Sequence, residues 1–186
     1  MNLKKMILIN AILTFLLCFL THFIYTWFPN PIFSVFFPVN ESIWEHMKML
    51  FTTILLYGII EYFIMKKFDI KHNNFLITSF IKAVLSIPVY LIMFLPFYNM
   101  FGEKMFITFI ILFVAILIVN IIGHKLLEYS EIPYQKTIGI VGIIFVYIIM
   151  VILTYNPPRA ELFFDTQEEK YGIDDYLIEN KKLLNK

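Results

Sequence analysis

Met105-Phe106-Ile107-Thr108-Phe109-Ile110-Ile111-Leu112-Phe113-Val114-Ala115-Ile116-Leu117-Ile118-Val119-Asn120-Ile121-Ile122-Gly123-His124-Lys125-Leu126-Leu127 carries no formally charged side chain before Lys125. A helix of roughly 20 such residues covers the hydrocarbon thickness of a bilayer, and a soluble helix of that length would keep a polar face. Four further segments have the same character, at about residues 6–28, 42–65, 75–101 and 137–155. The rest of the chain agrees: 60% of the 186 residues are hydrophobic, with 21 Phe and 11 Tyr, and charged residues make up 16%. No single soluble core of this size buries that much apolar surface, so lipid is the expected solvent for most side chains. The sequence therefore predicts an all-α integral membrane protein, a bundle of five transmembrane helices over residues 1–155 followed by a tail at 156–186.

Charge gives an orientation. With the N-terminus in the cytoplasm, the inner connections hold Lys4, Lys5, Lys66, Lys67, Lys71, Lys125 and Lys136. The outer ones hold Lys48 and Lys104, with Arg159 just beyond the last span. The excess of lysine inside predicts N-in, C-out, with an extracytoplasmic tail. Lys82, Pro88 and Pro96 make residues 75–101 the least regular span. The first span follows two lysines like a secretory signal, but no small-x-small cleavage site follows it and the surroundings of Cys18 are wrong for a lipoprotein, so it reads as an anchor. The near balance of 15 Lys+Arg against 14 Asp+Glu leaves no basic stripe for nucleic acid, and a single cysteine excludes an internal disulfide or a cysteine-based zinc knuckle.

Ionisable groups inside spans are expensive in hydrocarbon and should face inward and find one another. They fall into two layers. Toward the inner leaflet lie Glu61, Lys82, Asn120 and His124, where an ion pair between Glu61 and Lys82 is the structural reading and a proton or cation relay through Glu61, Asn120 and His124 is the functional one. Toward the outer leaflet lie His22 and the cassette Asn40-Glu41-Ser42-Ile43-Trp44-Glu45-His46-Met47-Lys48, with Tyr155, Asn156 and Asp165 on the same side. Ser42-Ile43-Trp44-Glu45 fits a capping box, Lys48 has Glu41 and Glu45 within helical reach, and Trp44 suits an interfacial belt. His22 and His46 are left without a structural explanation.

Three readings of the outer layer follow. In the first, His22, Asn40, Glu41, Glu45, His46, Lys48, Tyr155, Asn156 and Asp165 line an outward-facing pocket for a small polar or amphiphilic ligand. In the second, His22, His46 and one of Glu41 or Glu45, Glu45 in the first instance, hold a divalent metal and Glu41 or Glu45 is the general base of a membrane-embedded hydrolase, although an H-x-x-E-H pattern would need histidine where Ser42 stands. In the third, capping and packing account for everything in a structural subunit. Residues 29–39, apolar but broken by Pro29, Pro31 and Pro38, are too short to cross and read as an irregular interfacial or re-entrant lid. Asn40-Glu41-Ser42 is formally a glycosylation sequon at the membrane surface. The tail, with Pro157 and Pro158 ending the last span and aromatics interleaved with charge, is expected to fold back on the outer face, and a short amphipathic helix with Tyr176, Leu177, Leu183 and Leu184 is expected after Asp174.

Phe37-Pro38-Val39-Asn40-Glu41-Ser42-Ile43-Trp44-Glu45-His46-Met47-Lys48, together with Thr154-Tyr155-Asn156-Pro157-Pro158 and the stretch from Phe164-Asp165 to Tyr171-Gly172-Ile173, resembles a family of small bacterial multi-pass membrane proteins of unknown function. The resemblance covers most of the chain and implies a setting in the bacterial cytoplasmic membrane, but it lends no activity. Asp165-Thr166 departs from the Asp-Pro of that pattern. The tryptophan-rich sensory proteins also have five spans, but Trp27 and Trp44 are too few tryptophans for that comparison.

Overall fold

The computed structural model describes residues 3–102 and 104–173. The amphipathic helix expected after Asp174 lies outside them. Six helices follow in order: α1 (Leu3–Trp27), α2 (Pro31–Phe36), α3 (Ile43–Lys67), α4 (Phe75–Phe101), α5 (Met105–Glu128) and α6 (Gln135–Tyr155). A single 3-10 turn, Glu161–Phe163, then leads into two short strands, β1 (Phe164–Asp165) and β2 (Lys170–Tyr171). Five of the helices are long and apolar enough to cross a membrane, and their bounds coincide closely with the segments read from the sequence.

One expectation needs correction. The proline-broken segment is not irregular throughout: Pro31 takes the first position of α2, where its missing N–H costs nothing, and the Asn30 side chain caps it by accepting from the amides of Ile32 and Phe33 at 3.0 and 3.1 Å. The tail closes a small antiparallel hairpin in which Phe164 pairs with Tyr171 and Asp165 with Lys170.

Side chains are distributed inside out. Ile138, Ile140, Val141, Ile144, Phe145, Ile148 and Ile152 of α6 are exposed, as are Leu8, Ile12, Leu16 and Leu20 of α1, whereas Asn10, Thr14, Glu61, Lys82, Asn120 and His124 are buried. Apolar side chains outside, with amides and ionisable groups gathered inside, are the arrangement that hydrocarbon solvent favours.

The described structure separates into two compact units, and α1, α3 and α6 contribute residues to both. The described part of the first comprises residues 3–19, 50–102 and 104–143. Its interior packs Ala11, Ile54, Tyr57, Ala83, Ala115, Ile116 and Val119, with Met6, Met65 and Leu127 in a separate apolar cluster. Small residues set the helix approach here: a Cβ on Gly139 would come within 2.8–2.9 Å of the Leu76–Ile77 backbone. Asn74, in the left-handed region at φ 57°, ties the α3–α4 loop to the α5–α6 loop by donating to the carbonyls of Leu126 and Ser130 and accepting from the Ile132 amide at 2.7 Å.

The described part of the second unit comprises residues 20–49 and 144–173. It holds the end of α1, all of α2, the start of α3, the end of α6 and the tail. Trp44 packs its ring against Phe163 of the tail, with centroids 5.2 Å apart, and Phe36 meets Tyr147 edge-on. Trp44 is therefore half-buried under the tail, not displayed as a belt residue.

Candidate metal centre

The second unit arranges residues 39–48 bond by bond. The Asn40 side-chain oxygen accepts the Ser42 amide at 2.9 Å, and its amide group donates to the Gly172 carbonyl at 3.2 Å. Ser42 caps α3 by accepting the Glu45 amide at 3.3 Å. The return half of the expected capping box is different: the Glu45 carboxylate accepts the Val39 amide at 3.1 Å, because Asn40 already occupies the Ser42 amide.

Glu45 then turns away from the histidines. It forms an ion pair with Lys48 at 2.5 Å and accepts the Thr154 hydroxyl at 2.7 Å. Lys48 donates in addition to Thr154 Oγ1 at 2.9 Å and to the Ser34 carbonyl at 2.8 Å, while the Ser34 and Tyr155 hydroxyls share a bond of 2.8 Å. Every member of this cluster other than Tyr155 is fully buried. Each ammonium and carboxylate has several partners, which is the condition under which a buried pair is tolerated. Neither Ser34 nor Thr154 was singled out from the sequence, although Thr154 opens the motif that continues into Tyr155 and the prolines. Asn156 is placed by its backbone amide, which bonds the Ile152 carbonyl at 2.8 Å.

His22, Glu41 and His46 converge instead. His22 Nε2 lies 3.2 Å from His46 Nε2 and 3.3 Å from Glu41 Oε2, and His46 Nε2 lies 3.4 Å from the same carboxylate oxygen. The three side chains are partly open, at 24%, 28% and 37% exposure in the order His22, His46, Glu41. His46 Nδ1 is 2.9 Å from the Ser42 carbonyl, an acceptor only, so this nitrogen carries a proton and leaves Nε2 of the neutral ring with its lone pair toward the triangle. His22 Nδ1 is buried and has no hydrogen-bond partner among the described residues. The His22 hydrogen bond holds the Glu41 carboxyl below its ordinary range; burial opposes this, and the electrostatic influence of His46 and His22 reinforces it.

Two imidazole nitrogens and one carboxylate oxygen are a zinc-type donor set. A tetrahedron with bonds of about 2.0–2.1 Å has edges of about 3.3–3.4 Å, and the three separations observed are of that length. The Nδ1 contact of His46 with a carbonyl is the kind of second bond that orients a metal-ligating ring. The carboxylate brought to the histidines is Glu41, from the bend before α3, and not Glu45.

In the first unit, Glu61 accepts from Lys82 Nζ and from Asn10 Nδ2, both at 2.7 Å, and Tyr57 donates to Asn10 Oδ1 at 2.8 Å. Asn10 and Tyr57 were missed, although Asn10 is the only amide in the first apolar run. Asn120 donates its amide back to the Ile116 carbonyl at 2.9 Å.

No curated protein and no solved structure matches this chain. A family model does, over residues 1–173, a range that contains the triangle, the buried pairs and the tail hairpin. The chain belongs to the family of unknown function DUF6512.

Proposed function

We propose that this protein is a five-span, N-in/C-out protein of the bacterial cytoplasmic membrane that holds a divalent metal on His22, Glu41 and His46 at its outer end. The polar end of a small or amphiphilic ligand would bind there. The observation that carries the reading is the triangle of ligand atoms at 3.2–3.4 Å, with the free lone pair of His46 facing into it. Three protein donors leave a tetrahedral ion one position for water or a ligand oxygen.

Each residue has a definable part. His46 is oriented by the Ser42 carbonyl. Glu41 is already ionised and supplies negative charge. His22 supplies the second nitrogen, and its one exchangeable proton moves to the orphaned Nδ1 when Nε2 is taken. The bound metal would contribute Lewis acidity toward the fourth ligand.

A hydrolase is the second reading, favoured by the same donor set. Neither carboxylate named for the general base is spare, because Glu41 is a ligand and Glu45 is locked to Lys48 and Thr154. Binding is therefore the better supported role.

Metal-stripped protein titrated with zinc or cobalt should take up about one equivalent per chain, and the double variant His22→Ala/His46→Ala should take up none. Wild-type protein that binds no divalent metal would remove the proposal.

A further inference from the structure

Asp165 is fully buried, yet among the described residues no cation pairs with it. Its charge is met by backbone amides. Oδ1 accepts from Gln167 at 2.8 Å and from Glu168 at 3.1 Å, closing the hairpin turn, and Oδ2 accepts from the Glu41 amide at 2.9 Å. A buried carboxylate is retained only where such donors offset its desolvation.

The partner it selects matters. His22 and His46 arrive on helices, which fix their backbones, whereas Glu41 sits in a run of bends between Phe37 and Ile43. Its amide has no helical acceptor. The tail supplies one, and grips the preceding residue as well through the Gly172 carbonyl and the Asn40 side chain.

We propose that Asp165 is the positioning residue for Glu41, so that the tail hairpin completes the ligand set of the metal centre. The inference rests on the metal reading above. Asp165 touches no ligand atom of the triangle and acts only through the backbone of Glu41.

The test is cobalt binding to the full-length protein in detergent, read by affinity and by the visible absorption of the bound ion, for wild type, Asp165→Asn, Glu41→Gln and the double variant. Asn presents one oxygen where Asp presents two, so either the Glu41 amide or the turn loses its acceptor. Asp165→Asn should weaken cobalt about tenfold or more and shift its spectrum toward that of Glu41→Gln. The double variant should bind no more weakly than Glu41→Gln alone, because the first change acts through the second residue. Asp165→Ser, measured in the same way, serves if Asp165→Asn lacks the wild-type helical circular dichroism.

Unchanged affinity, or losses that add in the double variant, would overturn this inference and leave the metal centre standing. A wild type that takes up no cobalt would overturn both.

Discussion

At the residue scale the weight falls on a proton. Two imidazole nitrogens 3.2 Å apart repel unless something positive lies between them, and in the metal-free triangle that is a proton on His22 Nε2, shared with His46 and Glu41. A divalent ion sends it to Nδ1, and added protons compete with the ion for the same ring nitrogens, so uptake should weaken as pH falls below neutral. Glu41 adds nothing to that window: its pKa is depressed, so the stabilisation its ionised form provides is present above the unfolded carboxylate pKa and is lost only as pH falls through the lower folded value. Isothermal titration with zinc at several pH values should show affinity rising toward neutral pH and then levelling; pH-independent affinity would contradict proton competition. Changing either histidine alone to alanine should cost at least the tenfold to hundredfold typical of lost supporting groups, with Ser42→Ala nearly silent because the contact with His46 uses the backbone carbonyl. His22 and His46 were legible in the sequence because capping and belt roles left them over. The choice of Glu41 over Glu45 was legible only in part: the capping box accounts for Glu45 and leaves Glu41 over, but a side chain on irregular backbone is aimed by contacts that sequence spacing does not encode.

Between elements, two contacts decide whether the parts stay registered. The tail turns back through Gly172, at φ +55°, where a Cβ would lie 2.4 Å from the Thr154 carbonyl and within 3.0 Å of Pro157. Gly172→Ala should therefore destabilise the tail by more than about 1 kcal/mol and raise its protease sensitivity, while leaving helical circular dichroism almost unchanged. A protease-resistant variant would count against the packed tail. In the first unit, Lys82→Met strands the Glu61 carboxylate and should cost about 3–5 kcal/mol, whereas Lys82→Met with Glu61→Gln should recover much of it. If the single change left thermal unfolding in detergent unaltered, Glu61 and Lys82 would not be a structural pair. The pairing of α3 with α4 through these residues could be anticipated from a short loop and similar depth. The α2 helix could not, because its cap is formed by Asn30, in a segment where three prolines suggested irregular backbone.

For the whole molecule, five long apolar helices with exposed isoleucine, leucine and phenylalanine and a buried set of amides, hydroxyls and paired charges argue for a bilayer as solvent. Composition and segment length were enough to read this, since each span approaches the hydrocarbon thickness without help from its neighbours. The fine arrangement was less accessible, because nearly all-apolar helices carry little periodicity to say which faces meet. The proposed orientation rests on lysine bias, and it puts the tail and the triangle outside. Glu168→Cys in a Cys18→Ser background should react with a membrane-impermeant maleimide on intact cells; labelling only after lysis would reverse the topology and move the metal centre to the cytoplasmic side. The central claim, that His22, Glu41 and His46 form one metal centre, is tested most directly by zinc-edge X-ray absorption on the zinc-loaded full-length protein. The account predicts a first shell of nitrogen and oxygen at about 2.0–2.1 Å with the outer-ring scattering of two imidazoles. A shell of water oxygens alone, or no retained zinc, would contradict it.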